Sequence, residues 1–181
     1  MYWFDNRLQD FRINQAKKFI RQGDVVLDIG CFDGVLFKQC KDKIKYGYGL
    51  DPTLSAIIET NAYKLVPGYF PQDCETDIKY DAITMLAVLE HIPQKEQESL
   101  GENCLKFLAP KGRVIITVPS PRVDDILAIL TRLKIVEGMS LEEHYGYDPN
   151  DTERIFSTGF RLLHKSTFQL GLNNLFVFEK V

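Results

Sequence analysis

The most constraining feature of the chain is the segment Val25-Val26-Leu27-Asp28-Ile29 running directly into Gly30-Cys31-Phe32-Asp33-Gly34. A short, nearly continuous apolar run between glycines predicts a strand buried on both faces, as in a parallel sheet. Its one acid, Asp28, falls two residues before Gly30. Glycine lets the backbone turn sharply and approach a ligand, and the helix predicted after Gly34 presents free N–H groups there. A second strand candidate, Tyr46-Gly47-Tyr48-Gly49-Leu50, ends at Asp51, close to 20 residues beyond the loop. An acid at the end of that strand can accept both hydroxyls of a ribose. A glycine loop alone only permits a nucleotide; the loop followed by Asp51 points to a nucleoside.

The rest of the chain sustains an alternation of strands and helices. Leu8, Phe11, Ala16, Phe19 and Ile20 recur at helical spacing and predict a helix over residues 6–21, stopped by Gly23. Further helices are expected over residues 53–61, 96–108, 123–135 and 151–157. Strands are expected at residues 63–66, 81–86, 113–118, 160–165 and 174–180, with a turn at Pro110-Lys111-Gly112. This predicts an α/β fold: a Rossmann-like, doubly wound, mostly parallel seven-stranded sheet with an antiparallel last strand and helices on both faces. The chain reads as one domain, 1–181, with residues 1–22 as an N-terminal helix and residues 120–158 as a lid or insertion on the acceptor side.

Composition narrows the function classes. The 181 residues are 45% hydrophobic and 26% charged, with a formal net charge of −3. Counterion release from a nucleic-acid duplex needs unopposed Lys and Arg, and the cluster Lys38, Lys41, Lys43, Lys45 is diluted by Asp42. Nucleic acid is therefore not the expected partner. Cys31, Cys40, Cys74 and Cys104 show no Cys-x-x-Cys spacing, so neither a metal site nor a disulfide framework is expected. No apolar run reaches the ~20 residues of a membrane span, and the N-terminus shows no signal-peptide pattern. A cytoplasmic protein, monomer or homodimer, is expected.

With these motifs in order, the chain resembles the class I S-adenosylmethionine (SAM)-dependent methyltransferases, in particular their small-molecule, type 11/12-like branch. Residues 26–34 look like the family's first motif, and Gly49-Leu50-Asp51 like its ribose motif. Tyr80-Asp81-Ala82-Ile83 with Leu89-Glu90-His91-Ile92-Pro93 is similar to its fourth-strand segment. Leu108-Ala109-Pro110-Lys111-Gly112 is similar to the turn before its fifth strand. The resemblance implies methyl transfer from SAM, leaving S-adenosylhomocysteine, with no metal. It implies that Asp28 and Gly30 hold the methionine end, Asp51 the ribose, and Pro52 the adenine. The backbone at Leu86 and Ala87 would face the amino group, and Cys31, Phe32, Gly34 and Phe70 would complete the cofactor site. Two departures stand out: Phe32 occupies the usual middle glycine, and Gly68-Tyr69-Phe70 replaces an adenine-binding acid, with Asp73 a substitute.

The acceptor side is less determined. His91 and His144 are candidate bases or acceptor contacts, and Tyr145, Tyr147 and Arg122 candidate acceptor contacts. Glu90 reads as structural. The aromatic start Tyr2-Trp3-Phe4 reads as core packing or a lid. The acceptor is expected to be a small or carrier-bound molecule such as a glycan or lipid precursor. The alternatives are a nicotinamide-dependent oxidoreductase, against which the loop lacks Gly-x-Gly-x-x-Gly, and a SAM-binding partner protein without catalysis.

Overall fold

The computed structural model describes residues 2–120 and 147–181, with side chains from Arg7 onward. Arg122, His144, Tyr145, the helix expected at 123–135 and most of the expected lid lie outside the described residues, as do the side chains of Tyr2, Trp3 and Phe4.

The described elements are α1 (Tyr2–Ala16), β1 (Val25–Ile29), α2 (Val35–Cys40), β2 (Tyr46–Leu50), β3 (Ile58–Glu59), β4 (Tyr63–Val66), β5 (Tyr80–Leu86), a 3₁₀ turn (Leu89–His91), α3 (Gln94–Phe107), β6 (Leu108–Pro119), α4 (Asp151–Ile155), β7 (Phe160–Phe168) and β8 (Asn173–Lys180). The strands form one sheet in the order β3-β4-β2-β1-β5-β6-β8-β7. β1 pairs in parallel with both β2 and β5, so the chain order reverses between β1 and β5. Open α/β sheets bind ligands outside the strand ends at such a switch. β8 runs antiparallel to β6, as expected of the last strand.

Side chains alternate along each strand and build two apolar layers. Leu27, Ile83, Ile116 and Phe178 join α3 side chains on one face, while Val26, Ala82, Ile115 and Val177 join those of α1 and α2 on the other. Glycine in β2 explains how α2 packs so closely. A Cβ at Gly47 would meet the Phe37 ring at 2.5 Å, and one at Gly49 would meet Cys31 Sγ at 2.6 Å. The loop and the helix after it thus seat directly on the backbone of β2.

Two expectations are corrected. Residues 53–61 form no helix. They turn and then make β3, an antiparallel edge strand on β4 that raises the sheet from seven strands to eight. Ile57 and Ile58 are exposed, so a helix there would bury no apolar stripe, and β-branched residues favour extended backbone. Thr60 Oγ1 accepts the N–H groups of Ala62 and Tyr63 and fixes the turn. The second correction is α1, which starts earlier than expected and stops at Ala16. Beyond it, Lys18 and Phe19 donate to carbonyls three residues back. Arg113 Nη1 takes the Phe19 carbonyl at 2.5 Å, and the same guanidinium pairs with Asp24 at 2.9 Å. The buried cation draws the chain out of the helix.

Candidate cofactor site

The loop between β1 and α2 is built on the end of β2. Gly30 N and Cys31 N both donate to Leu50 O, at 2.8 and 3.2 Å. Gly30, Phe32 and Gly34 all have positive φ, at 74°, 46° and 74°. Phe32 thus adopts the backbone for which glycine is the usual choice, and a side chain in that region is disfavoured by roughly 1–2 kcal/mol. Asp51 compensates. Its Oδ2 accepts Phe32 N–H at 2.8 Å, while Oδ1 accepts Thr53 N at 2.8 Å and Thr53 Oγ1 at 2.5 Å. The acid expected at the ribose therefore also staples the loop. The Phe32 ring is 60% exposed at the mouth of the site.

Two cavities open here and share Gly30 and Val88 as a wall. The smaller, about 480 Å³, brings together Asp28, Cys31, Phe32, Asp51, Leu86 and Ala87. The larger, about 730 Å³, holds Pro52, Phe70 and His91. Gly34 lines neither; it starts α2, with Leu65 Cδ1 3.0 Å from where a Cβ would lie. Gly30 is packed so tightly on Val88 that a Cβ there would overlap the valine side chain. Tyr147 also lines neither cavity. Its ring packs against the α3-side core and its hydroxyl lies 2.7 Å from Thr152 Oγ1. Burial pushes its pKa upward.

Asp28 is 4% exposed. Its Oδ1 lies 2.6 Å from the hydroxyl of Thr84, its register partner on β5. Burial pushes its carboxyl up to about 7; the Thr84 hydrogen bond opposes this and the charge of Asp51 adds to it. Burial likewise raises Glu90 to about 7, opposed by a hydrogen bond from its own backbone N–H and, less, by Arg12. Glu90 Oε2 has no hydrogen-bond partner. The 3₁₀ turn that carries Glu90 and His91 is held from α3, where Gln97 Nε2 donates to Ile92 O at 2.7 Å. His91 is exposed at the cavity edge.

Sequence reasoning missed the α1 wall of the smaller cavity, formed by Gln9, Arg12 and Ile13. The signal was present: Gln9 and Arg12 share a helical face with Ile13 and Ala16, so polar groups interrupt an otherwise apolar face. Phe70 and Asp73, both named from the sequence, sit in the wall of residues 68–73, where Tyr69 N donates to Asp73 Oδ2 at 2.8 Å. Asp73 lines the larger cavity, with that carboxylate oxygen engaged by its own loop.

Comparison with known proteins shows the family. The model of the methyltransferase domain family matches residues 3–165, and the chain belongs to that family. It is 31% identical over 108 residues to a ubiquinone biosynthesis O-methyltransferase of Glaesserella parasuis, a match spanning 52% of this chain and 45% of that protein. The chain thus matches less than half the length of that relative. In fold it is similar to the N-methyltransferase NodS from Bradyrhizobium japonicum, with a TM-score of 0.68, 16% identity, and coverage of 97% and 98% of the two chains. It is also similar to magnesium protoporphyrin IX methyltransferase from Synechocystis, solved with bound S-adenosylhomocysteine. That match has a TM-score of 0.65 at 16% identity and covers 97% of this chain and 83% of the other.

Proposed function

We propose that the chain transfers a methyl group from SAM to a small-molecule or carrier-bound acceptor by in-line displacement. The observation that carries this is the placement of Asp28, Asp51 and the backbone of Gly30 and Ala87 around one cavity at the sheet's switch point. Family membership supports it.

The donor set fits the cofactor. Asp28, buried beside the ends of β1 and β5, offers a carboxylate to an ammonium group. Arg12 on the facing wall offers a cation to a carboxylate. Asp51 retains lone pairs for ribose hydroxyls beyond those used by Phe32 and Thr53. Pro52 and Phe70, in the larger cavity, supply apolar surface for a purine. The sulfonium supplies an already activated methyl group. The chain's residues then need to orient the acceptor and exclude water, and such alignment can contribute ~7–11 kcal/mol to the barrier. His91 is the described candidate for an acceptor contact or base. His144, Tyr145 and Arg122 are proposed for the same side from the sequence.

Thermal-shift titration tests the reading. Stabilisation by SAM and S-adenosylhomocysteine, with none by NAD, is expected. Stabilisation by NAD alone would favour the oxidoreductase alternative. Release of S-adenosylhomocysteine in the presence of a panel of phenol, carboxylate and amine acceptors then identifies the nucleophile.

A further inference from the structure

The β7–β8 hairpin reaches the smaller cavity through a line of three side chains. Arg12 of α1 lines that cavity, and its Nε donates to Asn173 Oδ1 at 3.5 Å. Asn173, the first residue of β8, is buried. Its Nδ2 donates to Gln169 Oε1 at 2.5 Å. Gln169 Nε2 is buried with no hydrogen-bond partner.

The direction of this line is set at the cavity. A guanidinium has donors and no acceptor, so the Asn173 amide can meet it only through Oδ1. Nδ2 then points the other way and needs an acceptor, which Gln169 supplies. The unpartnered Gln169 Nε2 is what a line directed by a cation leaves at its far end. The hairpin is shaped to hold it. Gln169 and Leu170 have φ of 51° and 59°, a backbone that disfavours side chains. Asn173 is in register with Pro119 at the end of β6 and with Phe168 of β7, and Ser120 N donates to Leu172 O at 2.8 Å. The turn is thereby fixed at the strand ends that face the site.

We propose that Asn173, oriented by Gln169, positions Arg12 to bind the carboxylate at the methionine end of the cofactor. Both are positioning residues, and neither lines the cavity. The inference rests on the methyltransferase reading above. Asn173 is a neutral partner, so it directs the guanidinium without neutralising it. Glu90, whose carboxyl also feels the Arg12 charge, would neutralise it when ionised. The 3.5 Å contact is long, and contacts of this kind commonly tighten once a ligand is held.

Calorimetry with two ligands tests this. One is S-adenosylhomocysteine; the other is its decarboxylated analogue, which keeps the amine and lacks the carboxylate. The ratio of the two Kd values reads the carboxylate alone. Wild type should prefer S-adenosylhomocysteine by roughly ten- to a hundredfold, the range for a hydrogen bond to a charged group. Asn173→Ala should lower that ratio by about fivefold or more, through weaker S-adenosylhomocysteine binding with the analogue little changed. Gln169→Gly should melt no lower than wild type, because glycine suits the left-handed backbone. It should still lower the ratio, by about two- to threefold. A merely structural Asn173 would weaken both ligands alike and leave the ratio where it was.

A wild-type ratio near one would overturn the inference at Arg12 without any variant. An unchanged ratio in folded Asn173→Ala, or in Gln169→Gly, would overturn it at the hairpin. If Asn173→Ala does not fold, Gln169→Gly decides alone. Absence of saturable binding of either ligand to wild type would overturn the methyltransferase reading, and this inference with it.

Discussion

Asp51 Oδ2 accepts the backbone N–H of Phe32 at 2.8 Å, so the acid at the end of β2 holds the cofactor loop in shape. The acid proposed for the ribose and the staple of the loop are here one residue. Asp51→Ala should therefore do two things at once. It should abolish measurable S-adenosylhomocysteine binding, and it should destabilise the ligand-free protein by about 1–3 kcal/mol through lost partners for Phe32 N and Thr53. Asp51→Asn keeps one acceptor oxygen and should lie between. Calorimetry and thermal melts of the three proteins would separate these effects. Unchanged ligand-free melting in Asp51→Ala would remove the staple role.

Gly30 and Val88 form the shared wall of the two cavities. Gly30→Ala places a methyl group into the Val88 side chain at a backbone of φ 74°. The expected result is a loss of roughly 1–2 kcal/mol from the left-handed backbone, with overlap in addition. Gly30→Ala/Val88→Ala should recover the overlap but not the backbone component. A double-mutant cycle on melting temperature, with cofactor affinity measured alongside, tests this. Strictly additive changes would show that the contact carries no coupling.

At the opposite end of the sheet, Arg113 Nη2 lies 2.9 Å from both carboxylate oxygens of Asp24, with both residues buried. Removing one member leaves the other charge buried and unpaired. Asp24→Ala should destabilise by roughly 3–5 kcal/mol. Because the pair lies far from the strand ends that build the site, surviving folded protein should bind cofactor as before. Denaturant melts measure the first, and calorimetry at low temperature the second. A loss below 1 kcal/mol would show that solvent reaches the pair.

How much of this was legible in the chain follows from where the physics is local. β1, β2, β4, β5 and β8 were readable because each packs apolar or β-branched residues between turn signals. Asp51 was readable because its place at a strand end is a matter of spacing. The end of α1 was not, because it depends on Arg113, 94 residues from the Phe19 carbonyl it takes. Residues 53–61 carried a cap-like Thr53 but lacked buried partners, and burial is decided by what packs above them. Phe32 was recognised as a departure from glycine. Its left-handed backbone and its tie to Asp51 required the fold, as did the pairing of Asp28 with Thr84. The face of α1 that closes the cavity was written as Gln9, Arg12, Ile13 and Ala16, but nothing local shows which layer that face meets.

Glu90 provides a signed pH test independent of ligand. It is 2% exposed, and its Oε2 has no partner. Burial raises its carboxyl from 4.5 to about 7. Between those values the folded protein binds more protons than the unfolded chain, so this group's contribution to stability falls as pH rises through the window. The loss is complete above the folded value and is on the order of 3 kcal/mol at most. Glu90→Gln is neutral throughout and lacks this slope. Asp28 imposes a slope of the same sign, but it is common to both proteins and cancels in the difference. The melting temperature of Glu90→Gln relative to wild type should therefore rise from pH 5 to pH 8, by roughly 2–4 °C per kcal/mol for a chain of this size. An equal difference at the two pH values would mean that Glu90 ionises in the folded state as readily as in the unfolded chain, through a partner or water that relieves its burial.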